Sequence, residues 1–133
     1  MTTQEHDLVL ILARGLASSI ATPTFLVDPE GTLVYYNEPA EEVLGQTFAE
    51  VGEMKRDEWG RMFSPHDSGS GEHLEPDALP LTMALTKREP AHRQMRITGL
   101  DGEQRDIAVT AFPLWARTDE FVGAVAIFWE EKG

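Results

Sequence analysis

The chain contains no cysteine. Disulfides, thiol nucleophiles and cysteine-ligated metals are therefore excluded, and nothing argues for an oxidising compartment. Basic residues are scarce as well, 11 against 23 acidic ones, for a formal net charge of −12. A surface that acidic repels phosphate backbones and anionic bilayers, which sets nucleic acid and membrane aside as partners. No long apolar run is present either. Leu8 to Leu12 is short, follows Glu5 and Asp7 and is broken by Arg14, whereas a bilayer span takes about 20 apolar residues and a secretory leader starts with basic ones. The expected location is the cytoplasm. Catalytic signatures are missing too: there is no Gly-x-Ser-x-Gly, no phosphate loop closing in Lys-Ser or Lys-Thr, and no His-Glu-x-x-His. The adjacent acids Glu41-Glu42 and Glu130-Glu131 read as solvated charges rather than an acid and base pair. The expectation is a protein that is not an enzyme.

What is present suits one domain. With 133 residues, 41% of them hydrophobic, the chain can bury a single core and leaves no room for a second. An N-terminal helix from about Gln4 to Ile20 is predicted by the spacing of Leu8, Ile11, Leu12, Leu16 and Ile20 on one face, with Glu5, Arg14 and Ser18 largely off it. Such a stripe needs a cover, which is either the domain's own sheet or a partner helix.

The stretch from Phe25 to Gly45 organises the rest. Phe25-Leu26-Val27 is a short β-prone run, and Asp28-Pro29-Glu30-Gly31 supplies a turn in which Pro29 presets φ and Gly31 can take φ > 0. A second strand follows from Thr32 to Tyr36. Asn37 is placed as the N-cap of a two-turn helix that opens with Glu38 and Pro39, buries Ala40, Val43 and Leu44, and stops at Gly45. Further helical turns are expected around 47–51 and 55–62, with Trp59, Met62 and Phe63 available to the core. Ser64 to Pro80 is the loosest segment, rich in turn formers, and reads as an internal loop; a helix over 78–87 follows. The last third is a meander: a strand over 92–97, a turn at Gly99-Leu100-Asp101-Gly102, a long strand over 103–114, a polar turn over 116–120 and a final strand over 121–129.

These features, in this order, resemble a PAS domain over about Thr22 to Trp129. The resemblance rests on the strand ending in Asp28, the Gly31 turn, the strand closing in Asn37, and the short helix ending in Leu44-Gly45. It rests also on the turn with Asp101-Gly102, the strand closing in Pro113-Leu114, and the Gly-containing last strand Val122-Gly123-Ala124-Val125. It implies an α+β fold: a five-stranded antiparallel sheet with short helices on one face, spanning 21–130, preceded by the helix of residues 1–20 and followed by a tail at 131–133. Flavin photosensors of this family need the Cys of an Asn-Cys-Arg motif and yellow-type photosensors need a chromophore Cys, so neither cofactor is expected. Haem-binding members offer a His from the helix before the long strands, and 78–87 has none. His66 and His73 in the polar loop, His92 at a strand start and His6 near the terminus are not placed as axial ligands. The set His66, Asp67, Glu72 and His73 has mixed spacing in a loop, so no metal site is expected.

Such a fold encloses space between sheet and helices, and the expected pocket residues are Phe25, Val27, Leu44, Leu81, Leu85, Met95, Ile107, Val109 and Ala111. The last strand is apolar on both faces, Val122, Ala124, Ala126 and Phe128 on one and Gly123, Val125, Ile127 and Trp129 on the other, so something must cover its outer side. The expected dimer surface is Leu8, Ile11, Leu12, Leu16 and Ile20 with Val125, Ile127 and Trp129. The resemblance implies a sensory module that binds a small molecule or a protein partner, forms a homodimer and, lacking the Asp-x-Thr exit to an output domain, signals in trans to a transcriptional or kinase regulator. The main rival is a dimerisation domain with a filled core and no ligand; an enzyme of a similar α+β cone fold would need an acid or base among the inward positions, and those positions offer none.

Overall fold

Asp28 and Gly31 close the first hairpin as their residue types dictate. The Asp28 carboxylate accepts the N–H groups of Glu30 and Thr32 at 2.9 and 3.0 Å, and Gly31 turns at φ +91°, which costs glycine little. The computed structural model to which these distances belong describes residues 2–117 and 119–131, and side chains from Val9 onward except Arg117. The hairpin joins β1 (Thr24–Val27) to β2 (Leu33–Tyr36), and Asn37 then caps α2 (Glu38–Leu44) by accepting the Ala40 N–H. Gly45 ends that helix in the left-handed conformation, its N–H returning to the Glu41 carbonyl. Thr47 and Glu50 form a reciprocal capping box on α3 (Phe48–Val51). The Glu58 carboxylate accepts the Lys55 N–H ahead of α4 (Arg56–Met62).

Among the described residues six strands, not five, form one antiparallel sheet, in the order β2-β1-β6-β5-β4-β3. The unexpected member is β3 (His66–Asp67), within the segment read as a loose loop, where a run of turn formers hides two residues of edge strand. It pairs with β4 (Ala91–Thr98). A turn of 3₁₀ helix at Pro76–Ala78 leads into α5 (Pro80–Lys87). The long strands β5 (Gln104–Arg117) and β6 (Glu120–Glu130) extend three residues past and one residue before the expected turn limits.

One side of the sheet packs on α2, α4 and α5 and forms the main core, with Phe25, Val27, Met95, Ile107, Val109, Ala111, Ala124, Ala126 and Phe128 pointing inward. Phe121 also points inward although it is three residues from Ala124. Strict alternation forbids that, and the register explains it: Leu114 pairs with Gly123 and Trp115 with Phe121, so Val122 is an extra residue in β6. Val122, expected on the inner face, is buried but outside the main cluster, and Phe121 takes its place. Met62, expected in the core, is exposed.

The other side of the sheet carries α1 (Thr2–Ala17), which packs on β1, β5 and β6. Its sheet-facing residues are Leu10, beside Gly123, the buried Ala17, and Arg14, whose guanidinium lies 4.6 Å from the centre of the Tyr35 ring. Of the two covers expected for the apolar stripe, its own sheet is not the one used: Ile11, Leu12 and Leu16 turn away from it and are 65, 63 and 66% exposed. Small Ala17 permits close approach, and Arg14 lies over an aromatic ring while its side chain stays exposed. Ile20 lies beyond the helix end and is half-buried. The side chain of Leu8 lies outside the described residues.

Candidate functional site

Between the inner sheet face and the helices lies a cavity of about 80 Å³. The sheet contributes Phe25 from β1, Met95 and Ile97 from β4, Ile107 and Val109 from β5, and Ala126 and Phe128 from β6. Leu44 of α2, Trp59 of α4, and Pro80 and Leu81 of α5 close it from the helices, with Phe63, Pro65 and Leu79 from the connecting segments. Trp59 is fixed by its indole N–H, which donates to the Gly31 carbonyl at 2.7 Å, and by an edge-to-face contact with Phe25 at 5.6 Å. The lining side chains are apolar apart from the Trp59 indole N–H, which is already engaged by Gly31, and none of them titrates.

Six expected pocket residues line this cavity: Phe25, Leu44, Leu81, Met95, Ile107 and Val109. Val27, Leu85 and Ala111 do not, although all three are buried. Val27 pairs with Ala124, one inward step beyond Ala126, and Leu85 packs toward Gly31, so both sit at the hairpin end of the core. Ala111 is opposite Ala126 on β5 and buried beside it. The remaining lining residues were missed because their partners are distant in sequence. Phe63 precedes and Pro65 lies within what reads as a loop, and Ile97 and Phe128 become lining only once β4, β5 and β6 are in register. Their signal was the period-2 alternation of the last two strands.

The motif residues fall where their chemistry places them. Asn37, fully buried, accepts from Thr24 and Ala40 and donates to the carbonyls of Ala17 and Thr22, all at 2.9 to 3.1 Å. Gly102 takes φ +83° in the β4–β5 turn, and the Leu100 N–H of that turn donates to the Leu44 carbonyl at 2.8 Å. Tyr36 is buried and donates its hydroxyl to the Gln46 carbonyl at 2.7 Å; burial, then the charges of Glu41 and Glu50, pushes its pKa up to about 12. It remains a donor at neutral pH.

Of the expected dimer surface, Ile11, Leu12, Leu16 and Trp129 are exposed. Val125 is not available, being 8% exposed on the face that α1 covers, and Ile127 is half-buried. Among the described residues no helix is long and apolar enough to cross a membrane.

Residues 21–130 match the family model described as PAS domain. The chain belongs to the PAS domain family. The fold agrees with solved PAS structures at low identity. The PAS domain of BvgS from Bordetella pertussis is 18% identical with a TM-score of 0.62, covering 93% of this chain and 86% of its own. That of nitrogen regulation protein NR(II) from Vibrio parahaemolyticus is 15% identical with a TM-score of 0.61, covering 90% and 98%. The LOV protein of Rhodobacter sphaeroides is 16% identical with a TM-score of 0.68, covering 98% of this chain and 68% of that one. No curated protein sequence matches. The sheet and the helix layer are thus those of a PAS domain, and α1 lies ahead of the residues that the family model matches.

Proposed function

We propose that this PAS domain is a cytoplasmic, non-enzymatic sensory module that takes a small, uncharged apolar molecule in its core cavity and passes the change to a separate protein as a homodimer. The observation that carries the reading is that one strand, β6, serves both sides. Ala126 and Phe128 face the cavity while Val125, between Ala124 and Ala126 on β6, lies under α1. A strand displaced by a guest moves the helix on its other face. The apolar lining favours a guest with no hydrogen-bonding demands, and about 80 Å³ is well below the roughly 300 Å³ at which drug-sized sites begin. Small aromatic or aliphatic compounds suit it better than a flavin or haem.

The homodimer part of the reading rests on Ile11, Leu12 and Leu16, an exposed apolar stripe on the far side of a helix whose near side is already packed. The test has two arms. Thermal shift with xenon and with benzene, on the parent and on Ala126→Leu, is expected to show stabilisation that the substitution removes. Light scattering is expected to give a dimer that Leu12→Glu with Leu16→Glu converts to monomer. A dimer with no response to any apolar guest would support the filled-core dimerisation reading instead, and a monomeric parent would remove the homodimer.

A further inference from the structure

We propose that His66 and His73 form a two-histidine site for a borderline divalent transition metal, with Ni²⁺, Cu²⁺ and Zn²⁺ as its ligand class. Seven positions apart in a polar loop, the two residues carry no recognisable ligand spacing; the hairpin that holds β3 makes them direct cross-strand partners. The Asp67 N–H donates to the Glu72 carbonyl and the Leu74 N–H to the Pro65 carbonyl, both at 2.8 Å. Those bonds flank the 66/73 pair rather than join it, which makes it a non-hydrogen-bonded pair, the type whose side chains stand closest. The imidazole centres are accordingly 5.3 Å apart with planes at 74°. A centre-to-centre distance of about 5 Å is what two imidazoles sharing one ion have, since Zn–N bonds are about 2.0 to 2.1 Å long and the ring centre lies about 1 Å behind each nitrogen; the rings would turn from their edge-to-face packing to bring both nitrogens onto it.

A second observation fixes the tautomer. His66 Nδ1 is 2.7 Å from the Ser64 carbonyl. A carbonyl can only accept, so Nδ1 carries the proton and Nε2 keeps its lone pair. A backbone carbonyl holding the other ring nitrogen is the usual support for a metal-ligating histidine. Ser64 itself sits at φ +47°, a conformation uncommon for a non-glycine residue and often found where a side chain is being aimed.

The hairpin is held from outside the pair. The Asp67 carboxylate accepts the N–H groups of Gly69 and Ser70 at 3.1 and 2.8 Å and pairs with Arg93 at 2.9 Å. Asp67 is therefore engaged elsewhere, and among the described residues no three metal-ligating side chains converge. Water would complete the coordination, and imidazole nitrogens select Ni²⁺, Cu²⁺ and Zn²⁺ over Mg²⁺ and Ca²⁺. Phe63 and Pro65, which adjoin the hairpin, line the core cavity, so an ion across His66 and His73 would stiffen one wall of it.

The experiment is a thermal-shift titration of tag-free, full-length protein with NiCl₂, ZnCl₂ and MgCl₂. Melting temperature is expected to rise with Ni²⁺ and Zn²⁺ and not with Mg²⁺. His66→Gln and His73→Gln are each expected to weaken the response by about tenfold or more, and His92→Gln to leave it unchanged. His73 is exposed, so His73→Gln decides the matter even if His66→Gln folds poorly. Cu²⁺ added below stoichiometry should broaden the ring resonances of His66 and His73 first. A parent with no response to Ni²⁺ or Zn²⁺, a response unchanged in His73→Gln, or broadening centred on His6 or His92 would overturn the proposal.

Discussion

The side-chain carbonyl of Asn37 accepts the backbone N–H of Thr24 at 2.9 Å, thirteen residues back along the chain. The same oxygen caps α2, and the amide nitrogen donates to the Ala17 and Thr22 carbonyls. One buried side chain thus ties together the end of α1, the start of β1 and the start of α2. Asn37→Ala should cost more than the roughly 1 kcal/mol of a lost cap, about 3 kcal/mol, because it strands several buried backbone groups at once. Urea unfolding checks this, and a loss of only 1 kcal/mol would mean that water takes over the Ala17 and Thr22 carbonyls.

Gly123 lies at φ +143°, and a Cβ there would collide with the Val27 carbonyl oxygen and come within 3.3 Å of a Leu10 methyl. Gly123→Ala is expected to destabilise the domain by about 3 kcal/mol or more and to loosen α1 from the sheet. Hydrogen exchange should show faster amides in residues 9–17 as well as a lower melting temperature; an unchanged α1 would disprove the coupling.

Thr82 is 1% exposed, and its hydroxyl has no partner among the described residues. Replacing it with the isosteric valine removes a stranded polar group, so Thr82→Val should be neutral or stabilising by about 1 kcal/mol. A clear loss of stability would reveal a bound water or other partner at Oγ1.

Acid should weaken the fold through two aspartates. Hydrogen bonds from the Ser70 N–H and the Arg93 guanidinium lower Asp67 from 3.8 to about 2, and those from Arg105 and the Glu103 N–H do the same for Asp101. A carboxyl whose folded pKa is depressed stabilises the native state above its unfolded value, and that contribution disappears as pH falls through the folded value. Melting temperature should therefore drop between about pH 4 and pH 2, and Asp67→Asn should flatten part of that slope. An unaltered slope would mean that the Asp67 contacts are not maintained in solution.

Local signals made much of this domain legible. Asp28, Gly31, Asn37 and Gly45 act within a few residues of themselves, and each does what its chemistry dictates. The long strands were legible because alternation survives burial, down to Ile107 and Val109 facing the cavity. Two kinds of feature were not. The bulge at Val122 depends on register with β5, which exchanges Phe121 for Val122 inside the core. The orientation of α1 depends on which of two apolar stripes meets the sheet. The larger residues Ile11, Leu12 and Leu16 carry the stronger periodic signal, yet the narrower stripe through Leu10 and Ala17, with Arg14 over Tyr35, is the one that packs. The His66–His73 pairing was hidden for the same reason, since cross-strand neighbours have no fixed spacing.

The empty space beneath β5 and β6 has a mechanical meaning apart from any guest. Packing gaps along this pocket of about 80 Å³ are lost when the chain unfolds, so the unfolded state occupies less volume, with the whole change typically in the range of tens of mL/mol. Hydrostatic pressure therefore acts on this domain as a denaturant aimed at the wall formed by Ala126 and Phe128. Filling that space with an inert atom would make the fold both harder to melt and harder to compress.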